Sequence, residues 1–303
     1  RRMDSPAKRN CAIFLIINIP GFCGFCKPQR GRIVKKVFSL PFWPEVCYNK
    51  LGFSANQKEE NSVSILRTIA MFIYLFGYMI VHYGVLRRGE RALAAGDTET
   101  VRRIVCQHIP HWSRGILNVT GARVSIEGLD NIPKDTACVF VCNHRSYYDI
   151  PLLLAYLDQP YGILAKEELE KIPLLNRWMK LLGCVFVRRD DVRASVRALN
   201  DATAIVESGR SFVIFPEGTR YKGEEGGAGE FKAGAFRIAI KTGAPVVPVA
   251  MTGARALFEN HGNRCSPGAV RIKVLPPIQT AGMSRAEQKQ LPDAVRQTIL
   301  AEL

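Results

Sequence analysis

"ACVFVCNHRSYYD", Ala137–Asp149, opens on six apolar residues and ends abruptly in Asn, His, Arg, Ser and Asp. The run Ala137–Cys142 has the length and composition of a buried strand. A turn after a strand needs polar residues, but it does not need a histidine. The pattern recurs in "SFVIFPEGTR", Ser211–Arg220, where another apolar run breaks into Glu, Gly, Thr and Arg. Working outward, short apolar runs alternate with helical stretches. The runs are "ARVSIEG", "YGILA", "CVFVR", "PVVPVAM" and "VRIKVL". Helices are predicted near 151–157, 174–182, 192–207 and 233–241. This alternation predicts an α/β fold with a mostly parallel central sheet flanked by helices. Ligands in such sheets bind beyond the carboxyl ends of strands, where both polar stretches sit.

His144 and Asp149 are five residues apart and do not share a face of an ideal helix. They meet if His144 lies in the loop and Asp149 in the first turn of the next helix. One reading is a His base held in one tautomer by Asp, able to take a proton from a substrate hydroxyl. The other is a helix start, with Ser146 as N-cap, Asp149 favouring the dipole and His144 incidental. "PEGTR" supplies a carboxylate, a glycine that lets backbone approach a ligand, a hydroxyl and a guanidinium. Arg220 suits bidentate phosphate recognition, or is an ordinary surface arginine.

The formal net charge of +15 points to a polyanionic partner: nucleic acid, anionic membrane or a phosphorylated substrate. There is no aromatic-interleaved basic tract and no nucleic-acid motif, so nucleic acid is not expected as a partner. Residues 1–62 differ from the rest. They hold eleven Lys and Arg against four Asp and Glu, so they carry +7 of the +15. Basic clusters, Pro and Gly surround a short apolar patch, "CAIFLIINIPGF", which also resembles a signal-peptide core. Lys58-Glu59-Glu60 can be encoded by a purine-rich ribosome-binding stretch, and Val63 by a GTG start. The expectation is that 1–62 is a leader outside the natural folded protein. The nine cysteines are scattered, and the pair Cys23 and Cys26 has no second pair to complete a zinc site. Cys138, Cys142 and Cys184 read as small buried hydrophobes in a reducing compartment.

Residues 63–118 are expected to be membrane-anchoring helices. "ILRTIAMFIYLFGYMIVHYGVL", Ile65–Leu86, is apolar apart from Arg67, Thr68 and His82. A helix of that length reaches roughly 33 Å, the thickness of a bilayer core. The competing reading is a buried core helix. Arg87, Arg88 and Arg91 come after it, a bias that puts the next domain in the cytoplasm if the helix spans. Asp97 reads as the N-cap of a second helix, kinked at Pro110, that lies on the membrane or on the core. The α/β domain is expected over 119–303.

Four ordered motifs resemble the glycerolipid acyltransferases, especially the bacterial 1-acyl-glycerol-3-phosphate acyltransferases. N-H-x-x-x-x-D is matched by Asn143, His144 and Asp149. G-x-x-F-[IV]-x-R is matched by Gly183, Phe186, Val187 and Arg189. F-P-E-G-T-R is matched by Phe215–Arg220, and the apolar fourth block by "PVVPVAMTG". "AKEEL", Ala165–Leu169, and "EFKAGAF", Glu230–Phe236, are similar to the family as well. Tyr221 departs from it where Ser is frequent. The resemblance covers Val63 to the C-terminus. It implies acyl transfer from a thioester donor, acyl carrier protein or coenzyme A, to lysophosphatidic acid, giving phosphatidic acid. It implies His144 as general base and Asp149 as its orienting partner. Lys166 and Arg220 would hold the acceptor phosphate and Arg189 would add positive potential there, while Glu217, Gly218 and Thr219 would shape the glycerol end. No metal or bound cofactor is implied, and the expected place is the cytoplasmic face of a bacterial cell membrane among membrane lipids. The alternatives are another acceptor (glycerol-3-phosphate, a lysophospholipid, a lyso-amino-acid lipid) or a membrane-anchored binding protein without catalysis.

Overall fold

The computed structural model describes residues 53–157, 161–188 and 191–303. Seven strands form one sheet in the order β1-β7-β6-β2-β5-β3-β4. They are β1 (Ala122–Glu127), β2 (Val139–Cys142), β3 (Tyr161–Lys166), β4 (Val185–Val187), β5 (Ser211–Ile214), β6 (Val246–Thr252) and β7 (Gly268–Val274). All neighbours pair parallel except β6 with β7. The expected mostly parallel sheet is therefore present, with one antiparallel step near an edge.

Successive strand residues point to opposite faces. Phe140 and Cys142 join the core shared with the helices α3 (Thr98–Thr120), α4 (Asp149–Tyr156) and α5 (Leu175–Leu182). Val139 and Val141 join the core under α6 (Val192–Glu207), α7 (Arg237–Thr242) and α8 (Arg285–Leu300). All four side chains are fully buried. Burial on both faces explains why β2 and β5 read as unbroken apolar runs and not as alternating ones.

The N-terminal helices differ in detail from the expectation. α1 spans Phe53–Val81 and α2 spans Tyr83–Ala94, so the apolar stretch to Leu86 is divided at His82. The His82 imidazole Nδ1 lies 2.9 Å from the Tyr78 carbonyl, a group that also accepts the His82 N–H at 3.0 Å. The backbone departs from helical angles at His82 (φ −94°, ψ 19°), which marks the break. The expected 62/63 boundary falls inside α1. The remainder of the expected leader, and Cys23 and Cys26 with it, lies outside the described residues.

The segment Asn61–Val81 is long and apolar enough to cross a membrane, and only 11% of its most apolar window is buried. Leu66, Ile69, Phe72, Ile73, Phe76 and Ile80 form an exposed apolar stripe at helical spacing. The inward face carries Ser64, Thr68, Met71 and Met79 instead. Ser64 Oγ donates to the Cys265 carbonyl (2.9 Å), and the Cys265 N–H donates to Thr68 Oγ1 (2.8 Å). A water-facing helix has the reverse arrangement. The buried-core reading of this helix is not what the structure has.

α3 is capped by Asp97, whose carboxylate accepts the Thr100 N–H at 3.0 Å. The helix runs on through Pro110 and buries Val101, Ile104, Val105, Ile109, Ile116 and Leu117. These residues pack α3 on the core.

Candidate active site

The site is built at the carboxyl ends of β2 and β5, which are adjacent and parallel. β2 ends at Cys142, and Asn143 anchors the loop that leaves it. The Asn143 side chain accepts the Met251 N–H (2.8 Å) and donates to the Met251 carbonyl (2.9 Å), fixing the loop to β6. The chain then turns through His144–Tyr148 into α4, where Asp149 is the first residue.

His144 and Asp149 meet. Nδ1 of His144 lies 2.8 Å from Oδ2 of Asp149. The same oxygen accepts the N–H groups of Arg145 (2.7 Å) and Ser146 (2.8 Å). Asp149 is 1% exposed, so these donors replace the water it lacks. Three donors converging on one oxygen fit an acceptor carboxylate. Nδ1 then carries the proton and Nε2 is left with its lone pair. The helix-start reading is only partly matched. Ser146 Oγ accepts the Tyr148 N–H at 3.0 Å, and the residue preceding α4 is Tyr148. The Ser146 hydroxyl and the Asp149 carboxylate thus make the bonds of a capped turn, while the regular helix begins only at Asp149, after Tyr148, whose side chain makes no cap bond.

The loop after β5 wraps around His144. The Phe215 ring stacks on the imidazole, with centroids 4.2 Å apart. Glu217 accepts the His144 N–H at 2.8 Å and, through its other oxygen, the Gly229 N–H at 3.1 Å. Tyr221 donates its N–H to the His144 carbonyl at 2.7 Å. This contact is made by backbone, so the departure at Tyr221 leaves it intact. Burial pushes the Glu217 carboxyl up, against the lowering pull of the His144 and Gly229 N–H groups. Both its oxygens face backbone, so Glu217 shapes the site through the loop. Gly218 has φ +70°, and a Cβ there would sit 3.0 Å from the Lys232 ammonium. The positive φ is what calls for glycine, since the lysine tip is flexible and can give way. Thr219 is exposed at the loop tip.

The cations are arranged unequally. The Arg220 guanidinium lies over the Tyr147 ring, 3.5 Å from its centroid, and 3.5 Å from Oε1 of Glu259. Lys166 ends β3, the strand beside β5, and its side chain is exposed and paired with Glu168 at 2.6 Å. The topology brings it to the same sheet edge. Arg189 lies outside the described residues. Its neighbour Arg188 forms a two-pronged pair with Glu167, at 2.7 and 2.9 Å.

Three residues that sequence reasoning passed over take part. Glu259 meets the loop of the first motif and Arg220 at once. Lys232 stands over Gly218; its signal was "EFKAGAF", a block noticed without a role for the lysine. Arg145 is buried and donates to the carbonyls of Gly223, Glu224 and Gly227. It holds the far loop in place, with its face 5.3 Å from the Tyr221 ring centroid.

Residues 123–252 match the family model described as Acyltransferase. A chloroplastic 1-acyl-sn-glycerol-3-phosphate acyltransferase of Brassica napus is 40% identical over 164 residues, covering 52% of this chain and 45% of that one. The chain thus spans about half the length of such plant relatives. A 1-acyl-sn-glycerol-3-phosphate acyltransferase of Borreliella burgdorferi is 33% identical over 199 residues, covering 65% of this chain and 76% of the other. The crystal structure of the 1-acyl-sn-glycerophosphate (LPA) acyltransferase PlsC from Thermotoga maritima superposes with a TM-score of 0.65 at 32% identity, covering 79% of this chain and 95% of that one. With the His–Asp pair, the FPEGTR loop and the sheet that joins them, these matches show that the chain belongs to the acyltransferase family that includes the 1-acyl-sn-glycerol-3-phosphate acyltransferases.

Proposed function

We propose that this protein transfers a fatty acyl group from a thioester to the free hydroxyl of 1-acyl-glycerol-3-phosphate, giving phosphatidic acid. The observation that carries the reading is the 2.8 Å contact between His144 Nδ1 and Asp149 Oδ2, at a sheet edge shared with Arg220. Nε2 of His144 takes the proton from the acceptor hydroxyl as its oxygen attacks the thioester carbonyl. A C–O bond forms and a tetrahedral oxyanion results. Its collapse breaks the C–S bond, and the imidazolium returns the proton to the departing thiolate. Asp149 holds the imidazole in the required tautomer and stabilises its charged form. Acyl carrier protein or coenzyme A supplies the thioester, an activated acyl group that a base and oxyanion donors suffice to transfer.

Arg220 and Lys166 hold the acceptor phosphate, with Arg189 adding positive potential. Gly218 and Thr219 line the glycerol end on a loop held by Glu217. The exposed stripe of α1 seats in the bilayer, and Arg87, Arg88 and Arg91 meet anionic headgroups on the cytoplasmic face of the cell membrane. The enzyme takes its lipid acceptor from that surface.

The test uses purified protein, a panel of lysolipid acceptors, both donor types and mass spectrometry of the products. Phosphatidic acid from lysophosphatidic acid is the expected product. Arg220→Lys keeps the charge and loses the planar fork, so kcat/KM should fall clearly on lysophosphatidic acid. Arg220→Ala should cost more, and the loss should be confined to acceptors with a terminal phosphate. Equal losses on an acceptor whose phosphate carries a head group would remove Arg220 from the phosphate site.

A further inference from the structure

Glu259 belongs to none of the motifs. It comes after β6 in "ALFENHGNRC", Ala256–Cys265, and opens a short 3-10 turn, Glu259–His261. Yet its carboxylate makes three contacts inside the site. Oε2 accepts the Ser146 hydroxyl at 2.7 Å. Oε1 accepts the Tyr147 N–H at 2.8 Å and lies 3.5 Å from the Arg220 guanidinium. Tyr147 is in turn the ring on which that guanidinium rests. Phe258, next to Glu259, packs edge-on to Tyr147 with ring centroids 6.2 Å apart. The side chain of Glu259 is only 15% exposed, so water competes little for these bonds.

These bonds connect two halves of the proposed chemistry. Ser146 and Tyr147 belong to the loop whose N–H groups hold Asp149 against His144. Arg220 is the residue assigned to the acceptor phosphate. The acceptor must be gripped at one end while its hydroxyl meets His144 at the other. The distance between grip and base is therefore a property of the protein, and one carboxylate spans it. Holding reactants close to the attack geometry is a large part of catalysis, and a displacement near 1 Å costs on the order of 10²-fold.

We infer that Glu259 is a positioning residue that sets Arg220 in register with the His144–Asp149 pair. The inference rests on the acyl-transfer reading. The bonds to the loop and the contact with Arg220 are separable by substitution. Glu259→Ala removes both and frees the loop. Glu259→Gln keeps the loop: its amide oxygen accepts the Tyr147 N–H, and its NH₂ donates to Ser146 Oγ. The Ser146 hydroxyl then turns to the Ala254 carbonyl, 3.2 Å away. What the glutamine loses is the negative charge facing Arg220.

The experiment measures kcat and KM of wild type, Glu259→Ala and Glu259→Gln. Acceptors are lysophosphatidic acid and a lysophospholipid whose phosphate is masked by a head group; melting temperature is recorded in parallel. The expected result is a split. Alanine lowers kcat on lysophosphatidic acid by about tenfold to a hundredfold. Glutamine restores kcat to within about threefold of wild type, yet raises KM for lysophosphatidic acid several-fold and leaves KM for the masked acceptor unchanged, because only a free phosphate depends on the Arg220 fork. A purely structural role would lower melting temperature with no such acceptor dependence. A folded alanine variant with wild-type kcat overturns the inference, and so do equal losses in both variants. Should the alanine variant not fold, an unchanged KM for lysophosphatidic acid in the glutamine variant overturns it alone. Wild type that fails to acylate lysophosphatidic acid brings down the parent reading and this one together. Active wild type with silent Glu259 variants brings down only this one.

Discussion

At His144 the chemistry reduces to where one proton sits. Asp149 accepts at Oδ2 from the imidazole and from two backbone N–H groups. The imidazole also stacks on Phe215, and the residue is tied through its own N–H and carbonyl to the FPEGTR loop. Held at this many points, the imidazole is pre-oriented for the base role proposed for it. Asp149→Asn keeps an acceptor oxygen but removes the charge that stabilises the imidazolium. We expect kcat to fall by roughly 10²–10⁴, the usual share of general-base catalysis, with the melting temperature nearly unchanged. A residue that only starts a helix would show the opposite: a lower melting temperature and an intact rate. The pairing was legible in the sequence as two alternatives. Spacing allowed contact, but only the fold shows that the loop curls back on α4. Glu259 was not legible at all, because it reaches the loop from more than a hundred residues away and carries no local pattern.

At the scale of elements, α2 is fastened to α5 by a two-pronged ion pair. Arg177 Nε and Nη2 donate to the two oxygens of Glu90, each at 2.6 Å. The Arg177 bonds hold the Glu90 carboxyl below its usual range. Its folded-state pKa lies below its unfolded value. The stabilisation is therefore fully present above the ordinary carboxylate range and is lost as pH falls through the folded pKa. Glu90→Gln should melt earlier than wild type at neutral pH, and the gap should close on acidification below pH 4.5, the ordinary value for a glutamate. A gap of constant size down to strong acid would show that the pair contributes packing and not charge. The elements themselves were largely readable. Strands buried on both faces announce themselves as continuous apolar runs, and α6 begins and ends where its pattern does, at Val192 and Glu207. α8 was overlooked although Ser284 and Glu287 form a reciprocal capping box at its start. Its apolar face is sparse (Leu291, Val295, Ile299), and Pro292 interrupts the pattern. The division of the first apolar stretch at His82 is a local change of backbone angle, which periodicity does not register.

For the whole molecule, the sheet places the chemistry at one edge and α1 presents a lipid-compatible stripe outside it. Phe72, Ile73 and Phe76 are exposed, so replacing them with Asp should leave the core intact. Each charge at bilayer depth costs roughly 2.5–3.5 kcal/mol or more, so the triple variant should leave the membrane fraction and lose binding to anionic vesicles. Unchanged sedimentation with membranes would mean that α1 is not the anchor. In the proposed reaction, anchor, phosphate grip and base all serve one event, the transfer of a proton from the acceptor hydroxyl to His144. The most direct test is the turnover of His144→Ala with lysophosphatidic acid and a thioester donor, read by mass spectrometry on protein whose melting temperature matches wild type. The expected result is a fall of roughly 10²–10⁴ in kcat with acceptor affinity little changed. Near-normal turnover in that folded variant would contradict the assignment of His144 as the base.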